Sequence, residues 1–292
     1  MIPIYKYLTE EQAQTYGVLF ASAGIQFDFG KSWLGWQVWV DADDADDALE
    51  LIAEFTENHP DDYRTTGLEH FSDRLRWYGV WGALVLLGIH LAIYHQPQDS
   101  KLFIQSLGAS AKHILQGEVF RCATALLIHA SHPHLAGNMV GLAIFGSAVC
   151  SLTGWGFGWL LITLTGIFGN LLNAALHGSG HLSVGASTAV FGAIGILATI
   201  QLIKKVRQPG SGLRALLPLG GGLALLALLG SSQHTDILAH MFGFLAGGAI
   251  GVFYAIWIKQ PLQKRSQYLL LALTIGMLIG AWLSVPSHLG LP

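Results

Sequence analysis

The feature that most constrains this sequence is a run of 82 residues, from 122 to 203, that contains no Asp, Glu, Lys or Arg. A helix needs about 20 predominantly apolar residues to cross a bilayer, so this run has room for three spans. Turn-forming residues interrupt it at 153–156 and 177–180, where three spans need their breaks. Since backbone groups in lipid must be satisfied within a segment, we expect each span to be a helix.

Charge is spread unevenly along the 292 residues. Only 11% of them are charged, against about 25% in soluble domains, and 20 of the 33 charges fall within residues 1–76. Fifteen of those 20 are acidic, so the chain begins with an acidic head. The basic residues form no dense patch, which argues against nucleic-acid binding. Cys122 and Cys150 are too few for a disulfide framework and match no metal-ligand spacing. The first residues lack the apolar stretch of a secretory signal.

We therefore predict an all-α polytopic membrane bundle preceded by a small soluble α/β domain. The predicted parts are an α/β domain at 1–62, a linker at 63–76, a six-helix core at 77–265 and an additional C-terminal membrane helix within 266–292. The seven predicted spans cover 77–94, 132–152, 155–176, 185–203, 213–230, 236–258 and 267–285.

The head has the patterns of a compact α/β unit. A capping-box pattern beginning at Thr9 predicts a helix over 10–23, and the alternation over 36–40 predicts a strand. The acidic residues 41–44 are expected to cap a second helix, in which Ala48, Leu51, Ile52 and Phe55 share one apolar face. We interpret the acidic run as the solvated first turn of that helix, because the helix dipole favours negative charge there.

The basic residues predict the orientation of the bundle. Three groups of them precede span 1, separate spans 4 and 5 and separate spans 6 and 7: Arg64, Arg74, Arg76, Lys204, Lys205, Arg207, Arg214, Lys259, Lys264 and Arg265. Lys101, Lys112 and Arg121, in or directly after the loop 95–120, are the exceptions. The positive-inside rule then places the N-terminus in the cytoplasm. The long loop 95–120 falls on the outer side, and its apolar pieces at 102–104 and 114–115 are expected to enter the membrane interface.

Four polar residues stand inside the spans at one depth. His134 and Asn138 lie in span 2, Ser187 in span 4 and His240 in span 6, each within about two turns of its span's outer end. Taken singly, a membrane serine often bonds its own backbone and an asparagine often joins helices. Taken together, a hydroxyl, an imidazole and further donors are what acyl transfer requires.

The spacing around these residues favours close contact between spans 4 and 6. One stripe runs through Ser187, Phe191 and Gly195, and a second runs through His240, Gly243 and Gly247. Small residues four apart let two membrane helices approach closely. We expect this packing to bring His240 to Ser187.

These motifs resemble those of the rhomboid intramembrane serine proteases over about residues 80–285. The family's His-x-x-x-Asn motif matches His134 and Asn138. Its Gly-x-Ser motif, with a downstream aromatic residue and glycine, matches Gly185, Ser187, Phe191 and Gly195. Its Ala-His-x-x-Gly-x-x-x-Gly motif matches Ala239, His240, Gly243 and Gly247. Phe120-Arg121 is similar to the aromatic–Arg pair that rhomboids carry after the first outer loop. The acidic head resembles the cytoplasmic domain of GlpG-like rhomboids, and a seventh span beyond their six-helix core occurs in six-plus-one members.

The resemblance implies an intramembrane serine endopeptidase in the cell (inner) membrane, with a site that opens to the extracytoplasmic side. Ser187 would be the nucleophile and His240 the base, with Phe191 stacked on the imidazole. His134, Asn138 and the Ser187 backbone N–H would form the oxyanion hole. The implied substrates are single-span membrane proteins in the lipid bilayer, and no cofactor or metal is implied. By family analogy, residues 230–235 would cap a wet cavity.

Other functions remain open at this point. Thr188 stands where the family usually has a glycine, so the alternative is a catalytically weak or inactive rhomboid-fold binding protein. A transporter would predict charges along a pathway and repeat symmetry, and neither is evident. Intramembrane aspartyl and zinc proteases are excluded, because the sequence lacks paired mid-span aspartates and a His-Glu-x-x-His motif.

The acids and histidines near the outer face raise two further questions. Asp236 stands one turn before His240 and would either orient the imidazole or cap span 6; we favour the cap. A metal site is the competing interpretation for the polar residues predicted on that side, which are His129, Ser131, His132, His177, Ser179, His181 and His234.

Overall fold

The computed structural model describes residues 1–8, 10–32, 35–58, 77–93, 97–206, 212–230, 236–258 and 261–286. The chain divides into two compact units, Met1–Leu75 and Arg76–Pro292. The predicted linker 63–76, Thr9, Arg207, Lys259 and most of the predicted cap at 230–235, including His234, lie outside the described residues.

In its described residues, the first unit is a three-stranded antiparallel sheet with two helices. Its elements are β1 (Ile2–Leu8), α1 (Glu10–Ala23), β2 (Phe27–Ser32), β3 (Gly35–Val40) and α2 (Ala45–Asn58). The sheet order is β1-β3-β2, so the strand predicted from the alternation at 36–40 is the central one. The first helix and this strand are confirmed, whereas β1 and β2 were not predicted.

The core of this unit forms where the helices cover the sheet. Tyr16 and Phe20 of α1 and Val38 and Val40 of β3 are fully buried, and Ile52 of α2 packs with them. The expected cap of α2 is wrong in detail. Asp41 makes no side-chain capping hydrogen bond, and a 3-10 turn over Ala42–Asp44 leads into the helix instead.

The second unit is helical. Its principal helices are α3 (Tyr78–Ile93), α4 (Pro97–Leu107), α5 (His132–Thr153), α6 (Trp155–His177), α7 (Ser187–Val206), α8 (Leu217–Gly230), α9 (Ile237–Ile258) and α10 (Lys264–Leu283). All but α4 correspond to predicted spans. Five of them, α5, α6, α7, α9 and α10, are long and apolar enough to cross a membrane, while α3 and the α8 segment are shorter apolar helices. The chain is therefore a multi-pass membrane protein with an all-α bundle.

The helix ends differ slightly from the predicted ones. Span 4 begins at Ser187 rather than at 185, and a 3-10 turn over Gly212–Leu216 replaces the predicted start of span 5. Span 2 contains a π-helical segment, Leu142–Gly146. Hydrophobic periodicity does not distinguish these tighter and wider turns from the α-helix, because the side chains remain apolar throughout.

The long loop between α3 and α5 packs onto the bundle. Phe103 and Ile114 are 7% and 3% exposed and contact other protein side chains, so these two residues do not enter the membrane interface as expected. Leu102 and Leu115, from the same apolar pieces, are exposed.

Two polar features fix this loop. The buried Arg121 pairs with Glu118 at 2.5 Å and donates to the carbonyl oxygens of Gln105 and Gly108. A two-stranded ribbon, β4 (Ala109–Ser110) with β5 (Leu182–Ser183), ties the loop to the segment that leads into α7. The loop thus helps to position the first residue of α7.

Candidate active site

The helices that carry Ser187 and His240 meet backbone to backbone. A β-carbon added to Gly243 of α9 would lie 2.1 Å from the carbonyl oxygen of Thr188, and one added to Gly247 would lie 2.0 Å from that of Gly192. From α7, a β-carbon on Gly195 would lie 2.2 Å from the carbonyl oxygen of Phe244. Any side chain at these positions would force the helices apart. The glycine stripes of the sequence therefore meet along one seam.

An aromatic contact lies near the N-terminal ends of the two helices that form this seam. The Phe191 ring stacks on the His240 imidazole, with centroids 4.5 Å apart and an interplanar angle of 29°. Ser187 begins α7 one turn before Phe191 and is half-buried, while His240 is buried. The hydroxyl and the imidazole thus belong to the N-terminal turns of two helices in direct contact.

A third helix brings polar side chains close to the backbone just before Ser187. Gly185 has φ +113°, which only glycine adopts readily, and a β-carbon there would lie 2.6 Å from the His134 ring. Asn138 Nδ2 would lie 3.2 Å from that β-carbon, and this buried amide has no hydrogen-bond partner within the described part of the chain. His134 and Asn138 of α5 therefore line the space beside the backbone that leads into Ser187.

Backbone hydrogen bonds hold the segment before Ser187. The Gly185 N–H donates to the Ala125 carbonyl oxygen at 2.9 Å, and the Ala186 N–H donates to His129 Nε2 at 3.4 Å. Burial, together with smaller contributions from the neighbouring His134 and His90, lowers the pKa of His129 to about 3. His129 is therefore neutral at neutral pH, which leaves Nε2 free to accept.

Asp236 caps the helix of His240. Its carboxylate accepts from the Ala239 N–H at 3.0 Å, so the favoured interpretation of Asp236 as a cap holds. It also accepts from Asn173 Nδ2 at 2.7 Å and lies 2.5 Å from His181 Nε2. Burial raises the pKa of Asp236, but its hydrogen bonds with Ala239, His181 and Asn173 outweigh burial and lower it.

No carboxylate in the described ranges orients the imidazole of His240. The buried His240 Nδ1 atom has no hydrogen-bond partner among the described residues. The Asp236 carboxylate is held by His181 and Asn173 instead. Among the described residues, the imidazole of His240 therefore has an aromatic ring stacked on it and no carboxylate bonded to Nδ1.

Thr188 is directed at α6. Its hydroxyl donates to Asn170 Oδ1 at 3.0 Å, its side chain is 1% exposed, and Asn170 in turn donates to the Cys122 carbonyl oxygen. The bulk that distinguishes this position from a glycine thus fills space against α6.

The outer histidines form two groups. His177 and His181 stack at 3.9 Å beside Asp236, and His90 Nε2 lies 2.9 Å from His132 Nδ1. The described residues contain no cluster of three or more His, Cys, Asp or Glu side chains that could hold a metal ion. Ser131 caps α5 by accepting from the His134 N–H, and Ser179 is exposed.

Three polar residues near the site were not singled out from the sequence. His90 of α3 and Asn170 and Asn173 of α6 are each buried to within 2% exposure. All three are polar residues inside predicted spans, and such residues are costly in lipid and tend to face the protein interior. The energetic cost of a polar side chain in lipid could therefore have identified these three residues from the sequence.

The comparisons with known proteins concern the helical part of the chain. The family model for the rhomboid domain matches residues 116–257, which include all four polar residues considered above. RHOMBOID-like protein 1 of Arabidopsis thaliana is 30% identical over 159 residues, covering 54% of this chain and 40% of the relative. Rhomboid protease GluP of Bacillus subtilis is 32% identical over 180 residues, covering 60% of this chain and 34% of the relative.

A shorter relative is matched over more of its length. Putative rhomboid protease YdcA of Bacillus subtilis is 26% identical over 147 residues, which cover 50% of this chain and 72% of the relative. By contrast, the matched region spans only 40% and 34% of the first two relatives. The chain therefore spans less than half the length of these two relatives.

Proposed function

This chain belongs to the rhomboid family, and from that premise we propose that it is an intramembrane serine endopeptidase with Ser187 and His240 as its catalytic dyad. The observation that carries the proposal is the seam between α7 and α9. It brings the outer turns of the two helices together and stacks Phe191 on His240.

The proposed reaction begins when Ser187 Oγ attacks the scissile carbonyl carbon while His240 removes the hydroxyl proton. The carbonyl oxygen becomes an oxyanion. When the tetrahedral intermediate collapses, His240 gives the proton to the leaving amine and an acyl-enzyme remains. Water, deprotonated by His240, then hydrolyses the ester and regenerates the serine. A wet cavity at this depth stays a prediction.

The oxyanion would be stabilised by donors from two helices. We assign this role to His134, Asn138 and the backbone N–H of Ser187. The Asn138 Nδ2 atom supports the assignment, because a buried donor without a partner is costly unless a ligand completes it. The N–H of Ser187 belongs to the first turn of α7, where N–H groups lack intrahelical partners and the helix dipole favours negative charge.

The proposed substrates are single-span membrane proteins whose helix unwinds near the outer face of the membrane. A helical segment hides its carbonyl groups in its own hydrogen bonds, so cleavage requires local unwinding. The depth of Ser187 and His240 at the outer turns of α7 and α9, together with the cytoplasmic N-terminus predicted from the basic residues, supports cleavage on the extracytoplasmic side. We place the protein in the cell (inner) membrane.

A fluorophosphonate probe tests the dyad directly. We expect the full chain in detergent to become labelled at Ser187, and labelling to vanish in Ser187→Ala and to fall strongly in His240→Ala. Ser183→Ala is the matched control, since this serine also lies on the outer side but in the ribbon before α7. Equal labelling of the wild type and Ser187→Ala would contradict the proposal.

The alternative of an inactive binding protein predicts no labelling of the wild type. Its motivation was the bulk of Thr188 beside the nucleophile. Because that side chain is buried against α6 and bonded to Asn170, its position does not favour the binding role.

A further inference from the structure

A cavity of about 360 Å³ lies between α3, α6 and α10, away from the seam of α7 and α9. Each of the three helices contributes one stripe. On α10 the lining residues are Leu271, Thr274, Ile275 and Leu278, which recur at the spacing of a single helix face. Side chains from one face of each of these three helices therefore line the cavity.

The cavity opens toward the bilayer and closes toward the catalytic helix. Its outer walls include Trp81 and Val85 of α3, which are 70% and 57% exposed. Its inner walls include Leu126, Ala186 and Ala189, each exposed by 5% or less. Ala186 and Ala189 stand on either side of Ser187 and Thr188 in the chain. The floor of the cavity is thus the back of the segment that carries Ser187.

The way α10 is held explains the opening. At one end, Gln267 accepts from the N–H groups of Gly156 and Phe157 at 2.9 Å each. At the other end, Trp282 packs against Phe103, with ring centroids 6.5 Å apart. Residues 271–278 lie between these two anchors, and that middle part lines the cavity. The helix is anchored at both ends, and one face of its middle part lines the cavity.

The side chains that line the cavity favour an apolar ligand. No charged side chain lines the cavity among the described residues, and aromatic rings of α3 and α6 form much of its wall. The Thr274 hydroxyl donates to the Leu270 carbonyl oxygen of its own helix, so it offers no free donor to a ligand. A charged headgroup would find no oppositely charged side chain among the lining residues.

The volume of the cavity fits a single acyl chain but not a helix. One turn of an α-helix, about 5 Å long and at least 10 Å across, takes up roughly 400 Å³. A methylene group occupies about the volume of a water molecule in the liquid, roughly 30 Å³, so the cavity holds about 12 methylenes. A substrate helix therefore does not fit, whereas most of one acyl chain does.

We propose that this cavity is a binding site for one acyl chain of a bilayer phospholipid, inserted between α3 and α10 and reaching the back of the Ser187 segment. The bilayer supplies the ligand at the mouth of the site, where the side chains are exposed. The site is separate from the proposed catalytic residues and does not depend on their activity.

Photocrosslinking tests the proposal. The full chain is placed in phosphatidylcholine vesicles that contain a trace of phosphatidylcholine with a diazirine near the end of one acyl chain, then irradiated and mapped by mass spectrometry. We expect labels at buried wall residues such as Leu126 and Ala189. In Leu278→Trp the added ring fills the cavity, and these labels should fall at least fivefold.

Ile279→Trp is the matched control, because Ile279 is the next residue on α10, is 54% exposed and does not line the cavity. It should leave the inner labels unchanged. Val85→Trp, from the opposite wall, repeats the filling test if Leu278→Trp does not fold. Inner labels that are missing in the wild type, or that persist in a folded filling variant, would overturn the proposal.

Discussion

The seam between α7 and α9 and the surface between α10 and the bundle are two contrasting ways of packing membrane helices. In α7, 61% of an 18-residue apolar stretch is buried within the protein, against 11% of the corresponding stretch in α10. Glycines bring the first pair into backbone contact, whereas α10 contacts the bundle through side chains, among them Gln267, Leu270 and Met277. Without a hydrophobic driving force between helices in lipid, close packing depends on such small residues. The tight contact lies where the polar residues meet.

The largest expected effect comes from placing a side chain in the seam. Gly247→Val would put its β-carbon 2.0 Å from the Gly192 carbonyl oxygen, so α7 and α9 must separate. Overpacking typically costs about 1–3 kcal/mol, and a backbone clash belongs at the upper end. We expect loss of proteolytic activity and a lower melting temperature, measured by thermal unfolding in detergent.

Gly280→Val on α10 is the matched control for the seam. A β-carbon at Gly280 has no atom within 4 Å among the described residues. We expect activity and melting temperature close to those of the wild type. Similar damage from both substitutions would show that the two helices are not packed differently.

The next effect separates two buried asparagines. Asn138→Ala removes an unpartnered donor, so we expect the cleavage rate to fall by about 10²–10³ with little change in melting temperature. Asn173→Ala removes the donor to Asp236 and should lower the melting temperature more than Asn138→Ala does. A reversed pattern in rate and unfolding measurements would refute the assignment of Asn138 to the oxyanion hole.

The ionisation of Asp236 is expected to make the stability of the folded protein depend on pH. Because the folded pKa of Asp236 lies below its usual value of 3.8, the stabilisation from its ionised form is complete well above pH 4 and is lost as pH falls through the folded pKa. Asp236→Asn retains a capping side chain but removes the charge. We expect a lower melting temperature than the wild type at pH 7, with the difference shrinking below pH 4. A constant difference from pH 3 to pH 7 would contradict this role.

The smallest expected effect on cleavage comes from Gln267, whose side chain anchors one end of α10. Gln267→Leu leaves the N–H groups of Gly156 and Phe157 without their acceptor, which costs about 1–3 kcal/mol for a buried group. We expect a melting temperature lower by a few degrees and nearly normal cleavage. Gln263→Leu, at an exposed position of the same helix end, should change neither. Loss of cleavage in a stable Gln267→Leu protein would show that α10 acts on the site.

Much of this fold was predictable from charge and spacing. The charge-free run and its turn residues give the helices of the bundle, because lipid leaves the backbone few alternatives. The stripes of Ser187 and His240 give the seam, because glycine at helical spacing indicates close approach. In the head, β1 and β2 were missed, since neither shows the clear alternation of the central strand.

The polar anchors were not predictable. A glutamine near the charged end of a helix, such as Gln267, is unremarkable in sequence, and its role depends on the turn at Gly154–Gly156 that it meets in space. The pairing of Asp236 with His181 and Asn173 joins residues up to 63 positions apart, and only the fold brings them together. Periodicity describes a helix face but does not identify a partner on another helix.

The most direct test of the central claim is cleavage of a single-span reporter protein by the full chain in liposomes, with Ser187→Ala as the comparison. The account predicts a product cut near the outer face by the wild type and none by Ser187→Ala. Equal cleavage by both proteins would contradict it.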